Sequence, residues 1–304
     1  MDQSLVPVAV HAIDVPAVVP TTDYTAVRSW LRSKSSSHTR KAYGQDISLF
    51  YTRVGKMLGE VTLSDLQDYA DSLIADFPES ATRRRILYAV KSLFTFAQKQ
   101  GFILLNVGTA LLPPRGKDTL AERILSPAQV QNIIYEAQKH SSQRDYVLVL
   151  LLYASGIRCE EVCNLQWKDV KENGKSGQIT VFGKGRETRT VLLHVKAWSA
   201  LQTIRPKGAR PDDYVFASRQ TSIRGGLPSR RLTESRVWQI VSGIAKKAGL
   251  KASPHFFRHA HATHAMRKTS QRVIQETLGW KSPLTMMRYQ HVMPEESSSL
   301  ALEL

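Results

Sequence analysis

Two adjacent prolines, Pro113 and Pro114, followed by Arg115-Gly116-Lys117-Asp118, end a long helical region and divide the chain. Neither proline has a backbone N–H to donate, and each disfavours helix in the residue before it, so no regular element runs through this point. Before it, from Thr21 to about Leu112, apolar residues recur with a helical period. Val27, Trp30 and Leu31 share one face, as do Ile47, Phe50 and Tyr51. Thr62 reads as the N-cap of a further helix. After the break, Ser126-Pro127-Ala128-Gln129 is a capping box with proline at the first helical position, and it opens a second domain. The 304 residues are enough for each domain to have its own core. The pattern predicts an N-terminal arm over 1–20, a helical domain over 21–112, a linker over 113–124 and a second domain over 125–304 that ends in a tail.

The second domain changes period once. Ile179 and Val181, then Val191 and Leu193, alternate on either side of Gly183-Lys184-Gly185, which predicts a β-hairpin. Around it the signals are helical. The apolar run from Tyr146 to Ala154 is too short to span a bilayer and reads as a buried helix. Another helix runs from about Thr233 to Ala248, with Val237, Ile240, Val241 and Ile244 inward and Gly249 as its stop. The fold class is therefore mainly α with a small antiparallel β-sheet.

Charge narrows the partner. The formal net charge is +16, with charged residues at 22% and the apolar fraction at 42%, so the composition is that of a globular chain with a positive surface potential. Nucleic acid is the expected polyanion, an anionic membrane surface the rival. The segment Thr82–Lys99 carries Ile86, Val90, Leu93, Phe94 and Ala97 on one face. Arg83, Arg84, Arg85, Lys91 and Lys99 lie on the other, and the segment contains no acid. That pattern suits phosphates. The N-terminus has acids and three prolines but no early Lys or Arg, unlike a signal peptide. The two cysteines, Cys159 and Cys163, are four apart on one helix, poor geometry for a disulfide; they read as buried free thiols of a cytoplasmic protein.

Four short pieces hold groups suited to anion and proton chemistry. Arg158 and Glu161 stand at i and i+3, so on a helix the carboxylate orients the guanidinium. Lys184 sits at the hairpin tip. His255 and Arg258 pair a proton-transfer group with an anion clamp. The histidines here do not assemble a zinc helix: the needed Glu is missing and His255, His259 and His261 do not all share one face, so no metal is expected, and His259 and His264 read as hydrogen-bonded core residues. The fourth piece runs from Leu278-Gly279-Trp280 to Tyr289.

In this order, Arg158, Lys184, His255-x-x-Arg258, Trp280 and Tyr289 resemble the active site of the tyrosine recombinase/integrase family (Xer/Cre-like). Gly156-Ile157-Arg158-x-x-Glu161 is similar to the family's first arginine box, Ser253-Pro254-His255-x-x-Arg258-His259 to its second, and Leu278-Gly279-Trp280 keeps the spacing to Tyr289. Thr39-x-x-x-Tyr43-x-x-Asp46-Ile47-x-x-Phe50 resembles the helical core-binding domain. The likeness spans about Thr21 to Met293. Phe257 replaces the usual Leu, and Trp280 the commoner His; indole donates one hydrogen bond and cannot shuttle a proton.

The resemblance implies an N-terminal core-binding domain and a C-terminal catalytic domain of the DNA breaking-rejoining fold. The implied activity is a site-specific recombinase that works through a 3′-phosphotyrosyl intermediate on Tyr289, with no cofactor. Arg158 and Arg258 would hold the phosphate, His255 assist the phenol, Lys184 protonate the departing 5′ oxygen, and Glu161 hold Arg158 or His255. The implied partners are double-stranded DNA with inverted-repeat core sites, copies of the chain itself in a tetrameric synaptic complex, and an accessory protein or second recombinase. No membrane is involved, and the expected location is the cytoplasm, on the nucleoid. A clamp of two domains around DNA would be lined by Arg83, Arg84, Arg85 and Lys91, by Arg224, Arg230 and Arg231 of the loop Arg219–Arg231, and by Lys246 and Lys247. The tail, with Leu300, Leu302 and Leu304, would dock on a neighbouring protomer. A type IB topoisomerase-like relaxing enzyme and a catalytically inactive DNA-binding relative are the alternatives.

Overall fold

The structure, a computed structural model, describes residues 15–78, 80–114, 120–183, 188–218 and 230–290. Residues 1–14 of the expected arm over 1–20, residues 115–119 of the expected linker, Lys184, Arg224 and the expected tail from 291 lie outside these residues. The chain divides into two units, Met1–Lys117 and Asp118–Leu304.

The first unit is all helical: α1 (Thr21–Arg32), α2 (Ser37–Val54), α3 (Leu63–Asp76) and α4 (Ser80–Lys99), then a 3-10 turn at Val107–Ala110. The expected N-cap forms at Thr62, whose hydroxyl accepts from the backbone of Asp65 while Asp65 reaches back to the Thr62 N–H. Such a box stabilises a helix by about 1 kcal/mol. The faces named from sequence meet in one core: Val27, Trp30, Leu31, Ile47, Phe50, Tyr51, Val90, Leu93 and Phe94 are all buried. Val19, which the sequence pattern places in the arm, is buried in the same core.

Two buried acids brace this unit. Asp23 accepts from the Tyr51 hydroxyl at 2.9 Å and the Leu58 N–H at 2.8 Å. Asp46 of α2 is ion-paired with Arg85 of α4.

The second unit begins with α5 (Pro127–His140), capped as expected by the Ser126–Gln129 box, and α6 (Gln143–Ser155). Helix α6 buries residues on every side, which explains its unbroken apolar run. Then come α7 (Cys159–Asn164) and an antiparallel sheet of β1 (Val170–Asn173), β2 (Ser176–Phe182) and β3 (Thr188–Leu193) in the order β1-β2-β3. The expected hairpin pairs Ile179 with Val191 and closes at Phe182 opposite Thr188; β1 is a strand that the alternation did not reveal. Helices α8 (Val195–Thr203), α9 (Glu234–Lys247), α10 (Pro254–Met266), α11 (Gln271–Leu278) and α12 (Pro283–Gln290) complete it. The main core lies among α5, α6, the sheet, α9 and α10. A smaller cluster of Leu120, Ala262, Ile274, Leu278, Trp280, Met286 and Tyr289 lies around α11 and α12. Cys159 and Cys163 are buried and unlinked. Among the described residues, no helix is long and apolar enough to cross a membrane.

Candidate active site

Where α6 and α11 end, backbone carbonyls lose their helical partners and need outside donors. Arg258, 7% exposed on α10, supplies two of them. Its Nη1 donates to the Gly156 carbonyl and its Nη2 to the Leu278 carbonyl, each at 2.6 Å. Gly156 follows α6 at φ 61°, and a Cβ there would stand 2.6 Å from Leu278 Cδ2 and 2.7 Å from His261 Cδ2. The glycine therefore serves both the left-handed cap and the close approach of α10 and α11. A guanidinium carries five N–H groups, and these two bonds leave three for other acceptors. Burial, then the positive charge of Arg158, lowers the Arg258 pKa to about 10, so it stays cationic at neutral pH.

Arg158 and Glu161 meet, though not as two residues on one helical face. The helix starts at Cys159; Arg158 is its extended N-cap residue, and Glu161 folds back onto it. The Glu161 carboxylate accepts from the Arg158 N–H at 2.7 Å and from its Nη1 at 2.8 Å. A second guanidinium completes the cage. Arg189 of β3 donates from Nη1 and Nη2 to the two Glu161 oxygens, both at 2.8 Å. Its Nε donates to the Thr277 carbonyl at 2.7 Å. The end of α11 thus receives Arg189 on Thr277 and Arg258 on Leu278. Gly279, next in the chain at φ 62°, leaves the room Arg189 occupies: a Cβ there would lie 3.1 Å from Arg189 Cδ. Burial pushes the Glu161 pKa up, but Arg189 and then Arg158 overcome it and hold the value at about 2. Sequence reading passed over Arg189, because a lone arginine on a strand carries no signal of its partner.

Beyond Gly279 the chain delivers Trp280 and α12. The Trp280 and Tyr289 rings stack with centroids 5.0 Å apart and planes at 24°. Tyr289 is 8% exposed, and burial raises its pKa while Arg258 and Arg288 oppose the rise. The histidine at the phenol is not His255. Nδ1 of His259 lies 2.6 Å from the Tyr289 hydroxyl, whereas His255 is exposed on the first turn of α10. Partial desolvation and then the charge of Arg258 lower the His255 pKa. Burial first, then His255 and Arg123, lowers that of His259 to about 4, so its ring is neutral at physiological pH. The reading of His259 as a core residue missed this contact, for which thirty residues of separation leave no local trace. His264 does bond within the protein, to the Tyr153 hydroxyl at 3.0 Å.

Arg158, Arg258 and Trp280 line one open cleft of about 810 Å³, together with Glu161, Arg189, Thr188, Lys281 and Thr285. The cleft can accept an anion at the two guanidinium groups. The candidates for DNA contact fare differently. Arg83 donates to the Phe77 and Pro78 carbonyls, Arg85 pairs with Asp46, and Lys91 donates to the carbonyls of Thr109 and Leu111. The acid-free face of α4 is thus largely tied to its own unit, since acid and carbonyl partners come from elsewhere in the chain. Among the described residues Arg84 has no such partner. Arg231 bonds Asn164, Lys247 reaches the His140 carbonyl at 3.4 Å, and Arg230 and Lys246 are exposed.

Comparison with known proteins gives consistent results. Residues 123–296 match the phage integrase family, and residues 29–101 match the phage integrase N-terminal SAM-like domain. A tyrosine recombinase of Pseudothermotoga lettingae is 30% identical over 268 residues, which span 86% of this chain and 90% of that one. The XerH site-specific recombinase, solved bound to palindromic difH substrate as a post-cleavage complex, has the same fold. It gives a TM-score of 0.71 at 18% identity, over 94% of this chain and 90% of that one. A lambda integrase tetramer bound to a Holliday junction gives 0.67 at 16% identity, over 85% and 77%.

Proposed function

The chain belongs to the phage integrase family and is a tyrosine recombinase, a DNA strand-transferring enzyme, and from that premise we propose that Tyr289 is its nucleophile. Attack of the phenol on a DNA phosphodiester adds charge to the nonbridging oxygens. Arg158 and Arg258 are the permanently charged, planar donors for that charge. Arg258 keeps three N–H groups for it after its two carbonyl bonds. Trp280 holds the phenol ring in plane and can donate its indole N–H to a phosphate oxygen. Lys184 protonates the 5′ oxygen as it leaves, and His255, exposed on the first turn of α10, assists. Exchange of one phosphoester for another conserves the bond, so the strands rejoin by the reverse path.

One observation carries this reading: the tyrosine stacks on a tryptophan that lines the same cleft as both arginines. The substrate in this reading is double-stranded DNA with inverted-repeat core sites. The working form is a tetramer on two sites, as the lambda integrase neighbour is a tetramer on a Holliday junction. The protein is expected to trap a covalent adduct on a nicked duplex carrying the site it selects from random DNA, and Tyr289→Phe to trap none. An adduct from the Phe variant would place the nucleophile elsewhere. Products that join two sites separate recombination from the relaxation of supercoils.

A further inference from the structure

The Tyr289 hydroxyl has one hydrogen-bond partner among the described residues, His259, the last residue of the second arginine box, which the resemblance gives no role in the reaction. We infer that His259 is a catalytic residue, the base that takes the phenol proton as Tyr289 attacks; this rests on Tyr289 being the nucleophile. The geometry is already that of proton transfer, with Nδ1 at 2.6 Å from the hydroxyl oxygen. The phenol packs against two rings, Trp280 stacked at 5.0 Å and His259 tilted at 35° with its centroid at 5.6 Å. His259 follows Arg258 directly in α10, so the group that holds the phosphate and the group that holds the nucleophile share one rigid element.

The surroundings explain why this base acts only on substrate. His255 and Arg258 of α10, Arg123 ahead of α5, and Arg288 of α12 all disfavour a proton on His259, and burial adds to them. Without DNA the ring is neutral, and in the tautomer that carries its proton on Nε2 the Nδ1 accepts a hydrogen bond from the phenol, whose proton stays on oxygen. A phosphodiester at Arg158 and Arg258 offsets the positive charge that disfavours a proton on His259, and the bond to phosphorus takes up the charge of the phenolate as it forms. In the step, the Tyr289 oxygen–phosphorus bond forms and the bond from phosphorus to the 5′ oxygen breaks. The phenol proton passes to Nδ1 of His259, and the departing oxygen takes a proton from Lys184. Rejoining runs the same path backwards, and His259 returns the proton to the phenolate.

The test uses the full chain on the nicked duplex described above. His259→Ala and His259→Asn are both expected to form adduct about 10²–10⁴ times more slowly than the parent, with unchanged DNA affinity. Asn keeps an acceptor near the position of Nδ1 but takes no proton, so it isolates the base from the hydrogen bond. The parent's rate should fall on the acid side as the imidazole is protonated, and that limb should vanish in His259→Asn. Recovery of the parent rate by Asn would reduce His259 to a positioning residue and overturn the proposal, as would a folded Ala variant that cleaves at the parent rate. Adduct formation by Tyr289→Phe is a separate result, which removes the nucleophile assignment instead.

Discussion

Each unit buries a carboxylate against arginine, and the two pairs behave oppositely. Glu161 in the second unit is held by two guanidinium groups and a backbone N–H, and its pKa falls to about 2. Asp46 in the first unit has Arg85, whose side chain is 46% exposed. There burial outweighs the arginine, and the pKa rises above its usual value. One half-solvated partner does not replace the water a carboxylate gives up, whereas a bidentate partner plus further donors does. The Asp46 pair therefore fixes how α2 meets α4 without adding much stability. The Glu161 cage stabilises the second unit and also sets the arginine side of the cleft.

Removal of Arg189 separates these cases most sharply. Arg189→Ala leaves Glu161 buried with Arg158 alone, close to the condition of Asp46, and strips the donor from the Thr277 carbonyl. Loss of one partner from a buried pair costs about 3–5 kcal/mol. Thermal unfolding of the full chain should show a loss of that size. Because Glu161 also positions Arg158, the surviving folded protein should bind DNA but cleave it slowly. Arg189→Lys restores the charge without the fork and should recover stability only in part. A loss below about 1 kcal/mol would mean that the cage adds no more than an exposed ion pair.

The acid limb of stability carries the next effect. The Glu161 pKa is depressed in the folded state, so its contribution is complete above the usual 4.5 and disappears as pH falls toward about 2. That displacement corresponds to roughly 3 kcal/mol. The sign reverses at Asp46: its pKa is raised, so the folded state binds the proton more tightly. Whatever it contributes is present at low pH and lost as pH rises through its folded pKa. Between pH 5 and pH 2, the stability gap between parent and Glu161→Gln should shrink. Asp46→Asn should be close to neutral or stabilising at pH 7 and lose that advantage on acidification. Denaturant unfolding across this range reads both, and a common sign for the two variants would end the contrast.

These pairs also show where the sequence is legible. Periodicity gave the helices, because an apolar stripe has few places to go; Ser126, Thr62 and the Ile179–Val191 hairpin follow local rules that act within four residues or across one turn. Arg158, Arg258, Trp280 and Tyr289 could be read because their order matched a family pattern. The donors and acceptors that complete the site could not. Arg189 finds Glu161 across twenty-eight residues, His259 finds Tyr289 across thirty, and Arg258 finds Gly156 across one hundred and two. A sequence displays a charge but not the group it faces. For that reason Arg83, Arg85 and Lys91 looked like phosphate contacts, and the partners that each has within its own unit could not be read.

Arg84 supplies the smallest effect and the finest test of that distinction. It lies on the same helix between Arg83 and Arg85, and among the described residues it has no hydrogen bond or ion pair. Arg84→Ala should leave thermal stability within about 0.5 kcal/mol of the parent, as surface substitutions usually do. If Arg84 meets a DNA phosphate, its loss should reduce the salt dependence of DNA binding by about one counterion. Arg85→Ala should do the reverse: it leaves Asp46 buried without its partner, so stability falls while the salt slope holds. Binding isotherms at several salt concentrations, with melts of both variants, read the two effects independently. A salt slope that drops for Arg85→Ala and holds for Arg84→Ala would return α4's tethers to the DNA surface.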